Sequence, residues 1–512
     1  MSSTDSAGRR GRGVAEEQVL LNEMPSRNGV TITPTRTPIG KRGAEFEKQP
    51  FLTTEPVRLT PAWEETNLPN DELNFKEVTM ENAQLEMNPP HDRLKLVYLT
   101  LMLHGIGTLM PWNMFITAKD YFVEYKLSQN YTGLESDYVT NFMPFIGFAS
   151  QVPNLIFNWL NIFLQLGGNL TTRIVWTLLV EVIVFVVTVI LAMGDSSQWP
   201  GIFFWVTIGS VIILNMANGI YQNTVYGIAA KLPFKYTGAI VLGSNVCGTF
   251  TAIVSIISSA VAPNPRTAAI YYFIAALFVL LACMDTYFAL PLNRFYRYHE
   301  MLNQKEMSKR RPNSLGSAPR IPYTRVFLQC FPQCFNVFFI FFVTLTVFPA
   351  IHSDIKRTDS EFIVSEKYYT HITCFLTFNL CACIGSWLAT FGSWPSPRWV
   401  VVPVVLRVLF IPIFLICNYK PMKMVRLFPI LIVNDWVYWS IAVVFALSSG
   451  YFSSVCMMYC PRMVKSEHAS IAGMFGAASL ITGIFSGIMF SAVMPWFVST
   501  VSWTWLESLG QL

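Results

Sequence analysis

Several polar side chains lie inside long apolar segments, where they could bind a small polar molecule through hydrogen bonds. Gln151 and Asn154 share one segment, and Asn215, Asn218 and Gln222 share another. The spacing i, i+3, i+7 of the second set places its members on one face of a helix. Amide side chains donate and accept hydrogen bonds but supply neither a nucleophile nor an acid. The pattern therefore indicates a polar path or binding surface.

Residues that carry enzyme chemistry are sparse. Of the six histidines, His104 lies in the first apolar segment and His371 begins a later one. No nucleophile is paired with a histidine, there is no phosphate-binding glycine loop, and the ten cysteines lack histidines at ligand spacing. We expect no enzymatic activity, no metal and no cofactor.

The composition is typical of a polytopic membrane protein. The 512 residues are 53% hydrophobic and 13% charged, with a mean hydropathy of +0.42, whereas soluble domains carry about 25% charge. The net charge of +5 is small and gives no indication of nucleic-acid binding. We expect a lipid bilayer around the chain and no nucleic-acid partner.

The apolar segments predict an all-α protein with about 11 transmembrane helices. The first starts near Leu96 and runs for about 25 residues, enough to cross about 30 Å of hydrocarbon. A fifth contains Gly243 and a sixth ends at Leu290. The others lie near residues 138–164, 174–193, 201–230, 333–351, 369–392, 399–417, 436–459 and 470–494.

Charge fixes the predicted orientation. The loop at 292–331 is rich in Arg and Lys, which favours the cytoplasmic side. Six crossings then place the N-terminus in the cytoplasm, and five more place the C-terminus outside. The predicted organisation is a disordered cytoplasmic tail (1–92), helices one to six (93–291), the basic cytoplasmic loop (292–331), helices seven to eleven (332–494) and an extracellular tail (495–512).

This topology predicts the location of two glycosylation sequons and one acidic residue. Asn130 begins an Asn-Tyr-Thr sequon outside the membrane, so we expect its glycosylation. Asn169 begins a second sequon on the cytoplasmic side and should stay unmodified. Glu181 lies at mid-depth in the third helix, where a carboxyl needs a partner. It is either hydrogen-bonded to a neighbouring helix or a coupling or gating acid.

Residues 105–118 read Gly-Ile-Gly-Thr-Leu-Met-Pro-Trp-Asn-Met-Phe-Ile-Thr-Ala. This run resembles the first-helix signature of the equilibrative nucleoside transporters. Further similarities follow at Gln222 to Gly227, at Leu232-Pro233 with Tyr236-Thr237, and at Leu290 to Tyr298. The resemblance covers about residues 94–494 and implies a major-facilitator-like 6+5 helix bundle.

The resemblance also implies a function and a site. The chain is expected to be a facilitative carrier that moves nucleosides or nucleobases by alternating access. Leu109 and Trp112 would wall the base, and Gln222 would hydrogen-bond its edge. The remaining pocket residues would be Gln151, Asn154, Phe375 and Asn379.

The eighth helix departs from the family pattern Phe-Asn-x-x-Asp-x-x-Gly-Arg. Ala382 stands where the family has aspartate, and Ser386 stands where it has arginine. In the family these charges hold the sugar, so their absence leaves the solute open. The alternatives are a carrier of another polar or cationic molecule and a receptor-like member that transports nothing. Ser244 replaces a glutamate of the monoamine-carrying branch, which disfavours cations.

The destination membrane is the least constrained feature. Residues 16–21, Glu-Glu-Gln-Val-Leu-Leu, match an acidic dileucine pattern that sorting adaptors read. A six-residue match arises easily by chance. We therefore expect a multi-pass protein of the plasma membrane, with an endosomal or lysosomal membrane as the alternative.

Overall fold

The computed structural model describes residues 87–119, 121–133, 138–164, 169–261, 264–308, 322–421 and 425–501. The predicted tail up to residue 86, with its dileucine, and residues 502–512 lie outside the described residues. Eleven principal helices occur in the described ranges. They are α1 (Leu96–Thr117), α2 (Tyr138–Leu164), α3 (Leu170–Met193), α4 (Pro200–Ala229), α5 (Lys235–Val261), α6 (Pro265–Ala289), α7 (Tyr323–Val347), α8 (Thr377–Leu388), α9 (Val401–Leu415), α10 (Asp435–Tyr459) and α11 (Ala469–Ser491).

Length and apolar composition suit these helices to a bilayer. In the part of the chain that the structure describes, eight helical segments are long and apolar enough to cross a membrane. Those segments contain α1, α3, α4, α6, α7, α8, α10 and α11. Of the others, α2 and α5 have 27 residues each, and α9 is a shorter apolar helix. The predicted all-α polytopic class is confirmed.

The seventh helix begins earlier than hydropathy predicts. It starts at Tyr323 instead of residue 333. Its first turns bury only one face, with Val326 and Cys330 buried and Leu328 exposed, so they do not form a continuous apolar run in the sequence. The basic loop also contains a polar helix, Arg294–Ser308, which we call the loop helix. The predicted loop is therefore partly helical.

Contacts between connecting segments define two ends of the bundle. At the end that carries Asn130, Lys126 donates a hydrogen bond to the carbonyl of Gly194, and Arg266 donates to the carbonyl of Ala192. We call this the Asn130 end. At the opposite, loop-helix end, Asn303 of the loop helix donates to the carbonyl of Lys231.

Glycines bring specific helices into backbone contact. A Cβ atom added at Gly105 of α1 would overlap the carbonyl of Ile240 in α5, and one at Gly243 of α5 would overlap the carbonyl of Met102 in α1. Small residues at helix crossings are the usual means of close packing in membranes. The pair fixes α1 on α5, and α1 carries two of the predicted site residues.

Candidate functional site

The first helix continues through its proline. α1 runs unbroken from Leu96 to Thr117 with Pro111 inside it. Leu109 and Trp112 are half-buried and pack against the main hydrophobic core. Packing therefore holds their side chains in place, so they could form a rigid wall of a ligand-binding site.

Helix α1 crosses α4 close to the position of Gln222 in the chain. A Cβ atom added at Gly107 would lie 3.1 Å from the hydroxyl of Tyr221, so the two helices touch there. Tyr221 directly precedes Gln222 in α4. The crossing therefore places the segment with Leu109 and Trp112 beside the segment with Gln222.

The contact of α2 with α4 contributes a set of buried amides. A Cβ atom at Gly219 of α4 would lie 2.7 Å from the backbone oxygen of Asn154 in α2. Gln151, Asn154 and Gln222 are all buried. The side-chain oxygens of Asn154, Asn218 and Gln222 have no hydrogen-bond partner in the described chain. Buried acceptors without partners cost free energy, so these oxygens are ready to accept from a polar ligand.

The two predicted residues near α8 lie one helical turn apart. Phe375 belongs to a π-helical turn, Thr370–Leu376, and its ring centroid is 5.8 Å from that of Phe348. The amide of Asn379 donates a 2.9 Å hydrogen bond to the carbonyl of Phe375. A Cβ atom at Gly248 of α5 would overlap the Asn379 amide. Asn379 therefore lies where α8 meets α5.

The two positions that depart from the family pattern are buried in helix contacts. Ser386 accepts a 2.6 Å hydrogen bond from the amide of Asn245 in α5 and donates one of 3.0 Å to the carbonyl of Gly450 in α10. A Cβ atom at Gly450 would overlap the carbonyl of Ala382. The place of the family's charge pair is taken here by packing of α5, α8 and α10.

The candidates thus fall into two groups that share a neighbour. We call helices α1 to α6 the first half of the bundle and α7 to α11 the second half. The first group lies on α1, α2 and α4 of the first half and comprises Leu109, Trp112, Gln151, Asn154 and Gln222. Phe375 and Asn379 lie on the eighth span of the second half. Helix α5 packs against both α1 and α8, so it connects the groups.

Sequence reasoning missed a polar network beside the first group. Asn223 of α4 donates 2.9 Å hydrogen bonds to the side chain of Asn158 in α2 and to the carbonyl of Met474 in α11. Asn161 donates to Asn223, also at 2.9 Å, and accepts from Arg173 at 3.2 Å. Asn154, Asn158 and Asn161 continue one helix face at i, i+4, i+7, a spacing that is visible in the sequence.

This network belongs to a contact between the two halves at the loop-helix end. Trp159 donates a 2.9 Å hydrogen bond to Thr482 of α11. Arg462, after α10, lies 4.8 Å from the ring centroid of Phe234, before α5. A Cβ atom at Gly473 would lie 2.7 Å from the carbonyl of Tyr226. The halves are therefore closed against each other at this end.

The buried acid of α3, Glu181, does not make the hydrogen bond to a neighbouring helix that was one of the two expectations for it. Glu181 is fully buried, and neither carboxyl oxygen has a hydrogen-bond partner among the described residues. The expected hydrogen bond to a neighbouring helix is therefore absent among the described residues. His104 is buried and lies 2.7 Å from the hydroxyl of Tyr221, as a packed imidazole.

A small cavity lies towards the Asn130 end, away from the predicted pocket. It is enclosed by residues after α1 and by α3 and α4. Its lining comprises Tyr121, Phe122, Thr188, Leu191, Phe203, Thr207 and Ser210.

Comparisons with known proteins agree with these features. A family model described as "Nucleoside transporter" matches residues 208–496. Equilibrative nucleoside transporter 2 of Homo sapiens is 30% identical over 451 residues, covering 78% of this chain and 97% of the relative. Equilibrative nucleoside transporter 1 of Homo sapiens is 29% identical over 448 residues, with coverage of 78% and 97%.

A solved structure supports the fold. The human organic anion transporter MFSD10 (TETRAN) is similar with a TM-score of 0.50 and 12% identity, covering 82% of this chain and 97% of that chain. At this identity the similarity shows the fold alone. The predicted major-facilitator-like bundle is confirmed.

Proposed function

The chain belongs to the nucleoside transporter family, and from that premise we propose that it carries nucleosides or nucleobases across a membrane by facilitated diffusion. The observation that carries this proposal is Gln222, whose buried side-chain oxygen has no partner in the described chain. A carboxamide offers both a donor and an acceptor. It therefore suits the edge of a nucleobase, which has both.

The other site residues have supporting roles in this proposal. Leu109 and Trp112 provide an apolar wall against which a flat base can stack. Gln151 and Asn154 supply further polar groups from α2, and Phe375 and Asn379 complete the pocket from the second half. Alternating access follows when the closed contact at the loop-helix end opens and the Asn130 end closes, with each half moving as a unit.

The sugar subsite is weak in this proposal. The family's charge pair is replaced by Ala382 and Ser386, and the Ser386 hydroxyl is already bonded to α5 and α10. No charged group remains at these positions to bind ribose hydroxyls. The carrier should therefore accept solutes with and without ribose.

Orientation and location complete the proposal. The positive charge of the basic loop supports a cytoplasmic loop-helix end and an Asn130 end on the outside. The proposed location is the plasma membrane. Sorting adaptors that read Leu20 and Leu21 would instead place a pool in endosomes or lysosomes. Replacing both leucines with alanine tests this, because adaptor reading predicts a shift of that pool to the surface.

Uptake of radiolabelled solutes into proteoliposomes tests the function. We expect saturable flux of uridine or uracil in both directions, without sodium or ATP, that stops when the concentrations equalise. Protein-free liposomes control for leakage. Absence of flux for every nucleoside and nucleobase would identify a receptor-like member, and accumulation against a gradient with all ion gradients collapsed would exclude facilitated diffusion.

A further inference from the structure

Glu181 is a carboxyl group in surroundings that disfavour its charge. It lies in the middle of α3, and its side chain is fully buried. In the described chain its two oxygens have no hydrogen-bond partner. An ionised carboxylate without a cation, water or donor is far costlier to bury than a neutral acid. Burial of this kind therefore favours the neutral, protonated carboxyl over the carboxylate.

Among the residues that the structure describes, the groups around Glu181 offer no positive charge to compensate an ionised form. Helix α3 packs against α4 and α6. Tyr221 of α4 and Cys283 of α6 lie close enough to the acid to interact with it electrostatically. His104 of α1 lies behind Tyr221, 2.7 Å from its hydroxyl. On α3 itself, Arg173 is eight residues away and donates to Asn161.

We propose that Glu181 is a regulatory proton-binding site of this carrier, loaded from the Asn130 end. This inference rests on the proposed transport function. The neutral carboxyl stabilises the conformation described here, in which the halves are closed at the loop-helix end. Its proton passes to water on the Asn130 side, and the carboxylate that remains favours a conformation in which α3, α4 and α6 separate enough to hydrate it.

The cavity near the Asn130 end supplies the direction of access. Thr188, which lines it, is seven residues from Glu181 on the same face of α3, a distance of about 10 Å along the axis. Thr207 and Ser210 of α4 add polar groups to the lining. Buried Val184 and Phe185 lie between the cavity and the acid. Water therefore needs to cross only this apolar layer to reach Glu181.

Because loading and release occur on one side, the site regulates transport without driving it. Holding one conformation slows exchange, so acid at the Asn130 face should reduce flux severalfold, while acid at the other face has little effect. A proton gradient should not cause accumulation. This separates the site from a symport mechanism, in which the proton would cross with the solute.

Glu181→Gln tests the proposal, because glutamine has nearly the same shape and remains neutral. Uptake would be measured with the pH of each face varied separately between about pH 5 and pH 9, a range in which buried carboxyls titrate. We expect the variant to show the slow rate of the acidified wild type at every pH. Glu124→Gln, at an exposed acid of the Asn130 end, is the control and should keep the wild-type profile. A Glu181→Gln profile that matches the wild type would overturn the proposal.

A second measurement needs no transport. If the native state keeps a proton that the unfolded chain releases, stability is greatest in acid and falls as the pH rises. The melting temperature of the purified wild type should therefore drop on alkalinisation more than that of Glu181→Gln. Equal drops would exclude the site. A protein that transports no solute but shows this difference would refute the transport function and keep the proton site.

Discussion

The amide of Asn223 in α4 donates a 2.9 Å hydrogen bond to the backbone carbonyl of Met474 in α11. The bond joins the two halves of the bundle at the loop-helix end. The same amide group also donates to Asn158 and accepts from Asn161 through its oxygen. One side chain therefore links three helices, and the link must break each time this end opens.

Asn223→Ala should loosen the closed contact. Its loss leaves the buried side-chain oxygen of Asn158 and the carbonyl of Met474 without this donor, at a cost of about 1–3 kcal/mol, while Asn161 keeps its contacts with Thr224 and Arg173. Labelling of a cysteine introduced at the buried Ala230, which packs near Gly473, should become faster. Asn215→Ala is the control, because the Asn215 amide donates within its own helix, to Val211. Equal labelling in both variants would show that Asn223 does not hold the closure.

Gln222→Ala should weaken solute binding. The loss of a hydrogen bond in a desolvated site costs about 1–3 kcal/mol, or about a tenfold increase in the apparent dissociation constant for each 1.4 kcal/mol. Competition uptake at equal protein density measures this change. Binding unaffected by the substitution would remove Gln222 from the site.

Trp112→Ala should also weaken uptake, because it removes the aromatic wall proposed to stack on the base. The matched control is Trp176→Ala, since Trp176 of α3 is 61% exposed on the outer surface of the helix bundle. Only the Trp112 variant should raise the half-saturation concentration. Similar effects of both substitutions would indicate a general loss of packing.

The wild type should discriminate poorly between uridine, 2′-deoxyuridine and uracil. No carboxylate or guanidinium stands at Ala382 and Ser386 to bind the ribose hydroxyls, and each missing hydrogen bond costs about 1–3 kcal/mol. Competition against labelled uridine compares the three directly. A strong preference for uridine would mean that other residues hold the sugar.

Restoring the charge pair is limited by space. Ser386 is fully buried and bonded to α5 and α10, and the backbone of Ala382 contacts Gly450. Ser386→Arg alone adds bulk and an unpaired charge, and should lower the yield of folded protein severely. Ala382→Asp with Ser386→Arg should be milder, because the charges pair, and it should favour uridine over uracil. A folded double variant with unchanged selectivity would contradict this expectation.

Asn130→Gln should lose a glycan-sized shift in mobility, and Asn169→Gln should not. Both asparagines are exposed, so accessibility alone does not separate them, and the result reports on membrane sidedness. A glycan on Asn169 would reverse the predicted orientation.

The sequence predicted the helices well because membrane crossing demands long apolar runs that are visible without tertiary information. It placed the start of the seventh helix at 333, since the half-buried turns at Val326 and Cys330 do not read as an apolar run. It also singled out the polar faces of α2 and α4. It could not show that Asn223 reaches Met474, or that Ser386 bonds Asn245, because residues far apart in the chain meet only through tertiary packing.

The glycine contacts between α1 and α5 have a consequence for how this chain tolerates change. Because the backbones touch at Gly105 and Gly243, even one methyl group at either position forces the helices apart and should lower the yield of folded protein. Gly209 of α4, where an added methyl meets only open space, should accept alanine freely. Substitutions that change the choice of solute should therefore occur at side chains around the pocket. The glycines where α1 contacts α5 should tolerate no larger residue.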